Sequence, residues 1–74
     1  MLKYWVESYD GFTVIFNINT EADDTRGVDT IYSPQADQES IDKQLDLLDY
    51  MGFEKQESRG VEDYVKEHID TRLK

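Results

Sequence analysis

Leu2-Lys3-Tyr4-Trp5-Val6-Glu7-Ser8-Tyr9-Asp10-Gly11-Phe12-Thr13-Val14-Ile15-Phe16-Asn17-Ile18 is the stretch on which the fold turns. Two runs rich in Val, Ile, Phe, Tyr and Trp flank Asp10-Gly11, a strong local signal for a β-hairpin. Its apolar residues seed the core of a short chain.

Loop length decides which side chains share a face. A two-residue Asp10-Gly11 turn pairs Tyr9 with Phe12 and sets Phe12, Val14, Phe16 and Ile18 beside Lys3, Trp5, Glu7 and Tyr9. That leaves two charged residues on the apolar face. A three-residue loop, Tyr9-Asp10-Gly11, pairs Ser8 with Phe12 and gathers Leu2, Tyr4 and Val6 with Phe12, Val14, Phe16 and Ile18. Because a slip of one residue moves every side chain to the other face, the pattern predicts the three-residue loop, with Gly11 as the left-handed residue of a bulge. The opposite face then carries Lys3, Glu7, Thr13 and Asn17, with Trp5 directly across from Ile15. That pair is either a covered cross-strand contact worth ~0.2–1 kcal/mol or an anchor for a partner or a second copy of the chain, since Trp is enriched at binding hot spots.

Beyond the hairpin, residues 19–27 read as a polar loop. Asn19, Glu21 and Asp23 have a faint EF-hand spacing. Asp24 stands where the turn glycine belongs and Thr30 where the bidentate acid belongs, so no metal site is expected. Val28 to Tyr32 is a short third strand, bounded by Gly27 and by Ser33-Pro34. A helix opens at Ser33-Pro34 or at Asp37, with Ile41, Gln44, Leu45, Leu48 and Met51 on its inner side. It stops near Met51, where Gly52 supplies a left-handed residue and Phe53 folds back onto Leu47 or Leu48. Residues 54–59 are a linker, or an edge strand beginning at Phe53. A second helix runs from Val61 to Arg72, its inner stripe made of Val61, Tyr64, Val65, His68 and Ile69. The expected fold is one α+β domain over residues 1–74, a three-stranded antiparallel β-meander packed against two α-helices in the order β-β-β-α-α. Its core is Tyr4, Val6, Val14, Phe16, Ile41, Leu45, Leu48, Tyr64, Val65 and Ile69.

Composition removes several classes of function. The chain has 74 residues and no cysteine, so it has no disulfide or thiolate metal site and suits a reducing, cytoplasmic setting. No apolar run reaches the ~18 residues of a membrane span and no leader-like segment opens the chain, which reads as a complete short product. No Gly-rich phosphate loop, nucleophile–base pair or ligand cluster is present, so neither an enzyme nor a cofactor is expected. His68, the single histidine, reads as a partly buried structural imidazole. A net charge of −9 opposes direct binding to nucleic acid or an anionic membrane and favours a basic protein surface.

The acid is unevenly placed. Residues 1–20 carry two acids and one base, and residues 50–74 six acids and five bases, a net −1 each. Residues 21–49 carry nine acids (Glu21, Asp23, Asp24, Asp29, Asp37, Glu39, Asp42, Asp46, Asp49) against Arg26 and Lys43, a net −7. On the first helix, Asp49, Asp42, Asp46 and Glu39 fall at about 80°, 100°, 140° and 160° from Ile41, with Tyr50 beside them. Like charges at these spacings cost helix stability, and no i,i+4 lysine partners are evident for the stripe. A row of carboxylates can stand in for phosphates, which recur every ~3.4 Å along a DNA strand.

The expected function is that of a small acidic inhibitor or modulator. It docks Glu39, Asp42, Asp46, Asp49 and Tyr50, with Glu21, Asp23, Asp24 and Asp29, on the basic groove of a nucleic-acid-binding protein. In size and charge alone it resembles the DNA mimics and anti-CRISPR-like proteins of phages and mobile elements; no motif is shared. The alternative is a homodimeric module that associates through Trp5 and Ile15 or through a sheet edge.

Overall fold

A computed structural model describes residues 1–19 and 23–74, with residues 23–26 described by backbone alone. Strands β1 (Leu2–Tyr9), β2 (Phe12–Asn19) and β3 (Asp23–Tyr32) precede helix α1 (Gln38–Tyr50). A two-residue strand β4 (Glu54–Lys55), helix α2 (Asp63–His68) and a π-helical turn (Ile69–Leu73) follow. The sheet order is β3-β2-β1-β4. The first three strands form the antiparallel meander, and β4 adds parallel to β1. The fold is α+β with a mixed four-stranded sheet rather than a three-stranded one, since the segment after Phe53 pairs with β1 instead of acting as a plain linker.

The hairpin register corrects the sequence reading. Tyr9 pairs with Phe12, Trp5 with Phe16 and Val6 with Ile15, so the loop is the two-residue one. Asp10 (φ 51°) and Gly11 (φ 84°) both have positive φ, as a type I′ turn requires at its two central positions. The rejected register had seemed to strand Lys3 and Glu7. Lys3 Nζ instead ion-pairs with Glu54 Oε2 of β4 at 2.7 Å, and the Ser58 hydroxyl donates to Glu7 Oε1. Chain from beyond α1 thus pairs with Lys3 and reaches one carboxylate oxygen of Glu7.

The correction follows from the layering. The sequence reading placed both helices against one face of the sheet and left the other to Lys3, Glu7, Thr13 and Asn17 with the Trp5–Ile15 pair. Instead the sheet is covered on both faces. Trp5, Phe12, Val14, Phe16 and Ile18 pack with Val65 and Ile69 on the α2 side, joined by Val61, Tyr9 and Ile31. Tyr4 and Ile15 pack with Leu48 on the α1 side, joined by Val6, Leu45, Tyr32 and Phe53. Trp5 stacks on Phe16 with centroids 5.4 Å apart, and Arg59 lies 5.2 Å from the Trp5 ring. Trp5 and Ile15 are both at 0% exposure and lie on opposite faces. Neither forms the surface patch expected of an interface anchor.

β3 begins at Asp23 rather than Val28, and a register break between Ile15 and Phe16 leaves Asp29 as an extra residue between Thr30 and Val28. In α1, the Asp37 carboxylate accepts from the Ser40 backbone N–H at 2.7 Å, which caps the helix. Helix α1 ends as expected: Gly52 has φ 93°, the Phe53 N–H donates to Leu48 O at 3.0 Å, and Phe53 packs in the cluster that holds Leu48. The second helical stretch runs from Asp63 to Leu73, close to the expected Val61–Arg72, but is π-helical from Ile69 onward. Tyr64, expected in the core, is 54% exposed, and His68 is exposed as well.

Candidate partner-binding face

Ile41 and Leu48 are buried and Leu45 half-buried against the sheet, which fixes how α1 rolls. With that side turned inward, Glu39, Asp42, Asp46 and Asp49 are all exposed, and Tyr50 is 88% exposed at the end of the row. From Glu39 to Asp49 the row rises ~15 Å at ~1.5 Å per residue. No basic residue lies in the last turn of α1, so Asp46 and Asp49 sit near the negative end of the helix dipole without a countercharge there.

The carboxylates differ in what holds them. Glu39 is 3.5 Å from Lys43, an i,i+4 pair that the sequence reading overlooked. Such an exposed pair is weak. Asp42 accepts from Gln38 Nε2 at 3.0 Å. Asp49 accepts from the buried Tyr4 hydroxyl at 2.9 Å, so one end of the row is pinned to β1. Burial pushes the Tyr4 phenol above its usual range, and the bond to Asp49 and the charges of Asp49 and Asp46 add to the effect. Among the described residues, no base pairs with Asp42, Asp46 or Asp49. The Asp37 carboxyl, held below its ordinary range by the Ser40 N–H, serves the cap.

The other expected contact residues fare differently. Asp29 is half-buried. Its carboxylate accepts from Gln44 Nε2 at 2.8 Å, Thr30 Oγ1 at 3.0 Å and Asn17 Nδ2 at 3.4 Å. It ties the β3 bulge to α1 and is no part of a free acidic surface. Glu21 lies outside the described residues, as do the side chains of Asp23 and Asp24, and the weak EF-hand spacing falls in the same region. Among the described residues, no group of three or more His, Asp or Glu is placed to hold a metal ion, and no helix is long and apolar enough to cross a membrane.

Two features escaped the sequence reading. Glu7 is 6% exposed; Ser58 satisfies Oε1, while Oε2 is buried with no hydrogen-bond partner among the described residues. Its signal was the alternation of the two-residue register, discounted because it placed a charge among apolar residues. The second is an open groove of about 430 Å³ lined by Val28, Ile31, Tyr64, Val65 and His68. No periodicity marks it, because it forms only where β3 and α2 meet in space. No protein-family model matches the chain, and neither a curated protein nor a solved structure matches it.

Proposed function

We propose that this protein is a binding modulator that docks the outer face of α1 on a basic, nucleic-acid-binding surface of a larger protein. The observation that carries this reading is the row Glu39–Asp42–Asp46–Asp49, fully outward-facing, poorly compensated and ending on the exposed Tyr50 ring. Like charges spaced three and four apart cost the helix stability. A basic partner surface would offset that cost, because complementary potentials speed encounter and exclude wrong partners. Tyr50 adds a rigid aromatic contact of the kind enriched at binding hot spots. The mimicry of a phosphate row gives the partner its class, a protein whose groove accepts nucleic acid. The setting this suits is the cytoplasm, and the chemistry is recognition rather than catalysis.

The test is capture of partners from bacterial lysate at low and moderate salt, with wild type beside the variant Glu39→Gln/Asp42→Asn/Asp46→Asn/Asp49→Asn. These amides keep the acceptor that Tyr4 and Gln38 use. Wild type alone should recover a nucleic-acid-binding protein, and salt should release it, since screening weakens exposed charge contacts. Equal recovery by both forms would return the acidic row to a solvated face.

A further inference from the structure

We propose that the outer edge of β3 and the groove beside it receive an extended, basic segment of a partner protein, with an apolar side chain of that segment seated in the groove. This surface lies on the α2 side of the sheet, away from α1, and the inference does not rest on the acidic row.

β3 is an outermost strand, and its outward N–H and C=O groups present a template for a further strand. The bulge at Asp29 shapes the flank of that edge. Residues three apart on a regular strand lie on opposite faces. Here the extra residue brings Val28, paired with Phe16, and Ile31, paired with Val14, to the same face. The Asp29 carboxylate is meanwhile occupied by Asn17, Thr30 and Gln44. Val28 and Ile31 thus form one wall of the groove, and Tyr64, Val65 and His68 of α2 form the other. Val28 is 36% and Tyr64 54% exposed, an open apolar surface beside an open edge.

Charge selects the occupant. On α2, Glu67 projects ~60° and Asp63 ~100° from Tyr64, on the side away from the core residue Val65. Both acids are exposed. Among the described residues, two bases of this segment point elsewhere: Lys66 lies over the Tyr9 ring at 5.9 Å, and Lys74 pairs with Asp10 and Asp70. Arg72 is the one opposing charge left on this segment. A second copy of the chain would bring another net charge of −9 to the same edge, whereas a segment alternating Lys or Arg with Val or Ile complements both the rim and the groove.

The probe is acetyl-Lys-Val-Lys-Ile-Lys-Val-Lys-amide, titrated into the isotopically labelled full chain at low salt. Acetyl-Lys-Ser-Lys-Ser-Lys-Ser-Lys-amide serves as the charge-only control. The expected result is that the first peptide binds at least about tenfold more tightly than the second. Amide shifts should concentrate on Gly27–Tyr32 and Tyr64–His68. Val28→Lys and Tyr64→Ser, each verified as folded by circular dichroism, should each weaken binding by about tenfold or more. Equal affinity for the two peptides, no binding by either, shifts centred on α1, or indifference to both variants would overturn the proposal. So would sedimentation showing a dimer that Val28→Lys dissociates, which would assign the edge to a second copy.

Discussion

Helix α1 and the α2 segment are built to opposite priorities. Helix α1 has 13 residues and α2 has six; the longer helix keeps its outward acids largely uncompensated, whereas the π turn that follows α2 pairs its acid, Asp70, and α2 itself leaves Asp63 and Glu67 exposed. Asp70 accepts from Tyr9 and Lys74, and Lys74 reaches on to Asp10 at the hairpin tip. Those bonds close the C-terminal end of the chain onto β1 and onto the turn. Helix α1 has one i,i+4 ion pair, a cap and the Tyr4–Asp49 bond, and leaves its remaining charge to solvent. A carboxylate spent internally, as Asp70 is, has little electrostatic attraction to offer a partner. Carboxylates left outward at i,i+3 and i,i+4 spacing, as on α1, repel each other and cost the helix stability.

The comparison breaks most decisively at Trp5. With no exposure and a stacked Phe16, Trp5→Ala should cost about 3–5 kcal/mol in urea unfolding, whereas Tyr50→Ala on the α1 surface should fall within ~0.5 kcal/mol. A mild Trp5→Ala would mean that the α2 side is not the core. Next in size is Ser58→Ala, which leaves a buried carboxylate at Glu7 without its donor. A loss of about 1–3 kcal/mol is expected, and Glu7→Gln in the same background should recover part of it. The quadruple amide variant of α1 should go the other way, raising stability by a few tenths of a kcal/mol for each like-charge pair relieved. A destabilised variant would show that the acids serve the fold.

The smallest effects are ionisation shifts, and they sharpen the contrast by helix. Hydrogen bonds from Lys74 and then Tyr9 hold the Asp70 carboxyl below its ordinary 3.8. Its stabilisation is complete above that value and is lost as pH falls through the lowered one. The bond to Asp70 raises the Tyr9 phenol, and burial followed by Asp49 raises Tyr4. Both phenols favour the fold fully below their ordinary value of 10.0, and that contribution disappears as pH rises through the raised values. Ultraviolet titration of tyrosinate should therefore show two late-ionising residues, with Asp49→Asn bringing Tyr4 back toward 10 and Asp70→Asn doing so for Tyr9.

Local signals were legible where a single segment decides the outcome. Asp10-Gly11 marked the hairpin, Asp37 was one of two openings offered for α1 and is its cap, Gly52-Phe53 marked its end, and the Ile41/Leu45/Leu48 stripe marked its inner side, although Met51, placed on that side too, is 57% exposed. The exposure of the four acids followed from that stripe. Register was not legible, because Lys3 and Glu7 can lie beside Trp5 only when Glu54 and Ser58 arrive from more than 50 residues away. An argument from one apolar face also fails for a sheet covered on both. Tyr64 and His68 were assigned to the core by helical spacing, but α2 gives way to a π turn after His68, and only Val65 and Ile69 of that stripe are buried. Asp29 looked like one more surface acid because a strand sequence does not reveal a bulge that turns its side chain toward Gln44.

The most direct test of the proposed binding role of α1 is displacement of fluorescently labelled duplex DNA from a captured partner, followed by anisotropy. The account predicts that wild type displaces the duplex, less effectively as salt rises, and that the Glu39→Gln/Asp42→Asn/Asp46→Asn/Asp49→Asn variant does not, although it is folded and at least as stable. Displacement by the variant at wild-type concentration would contradict it.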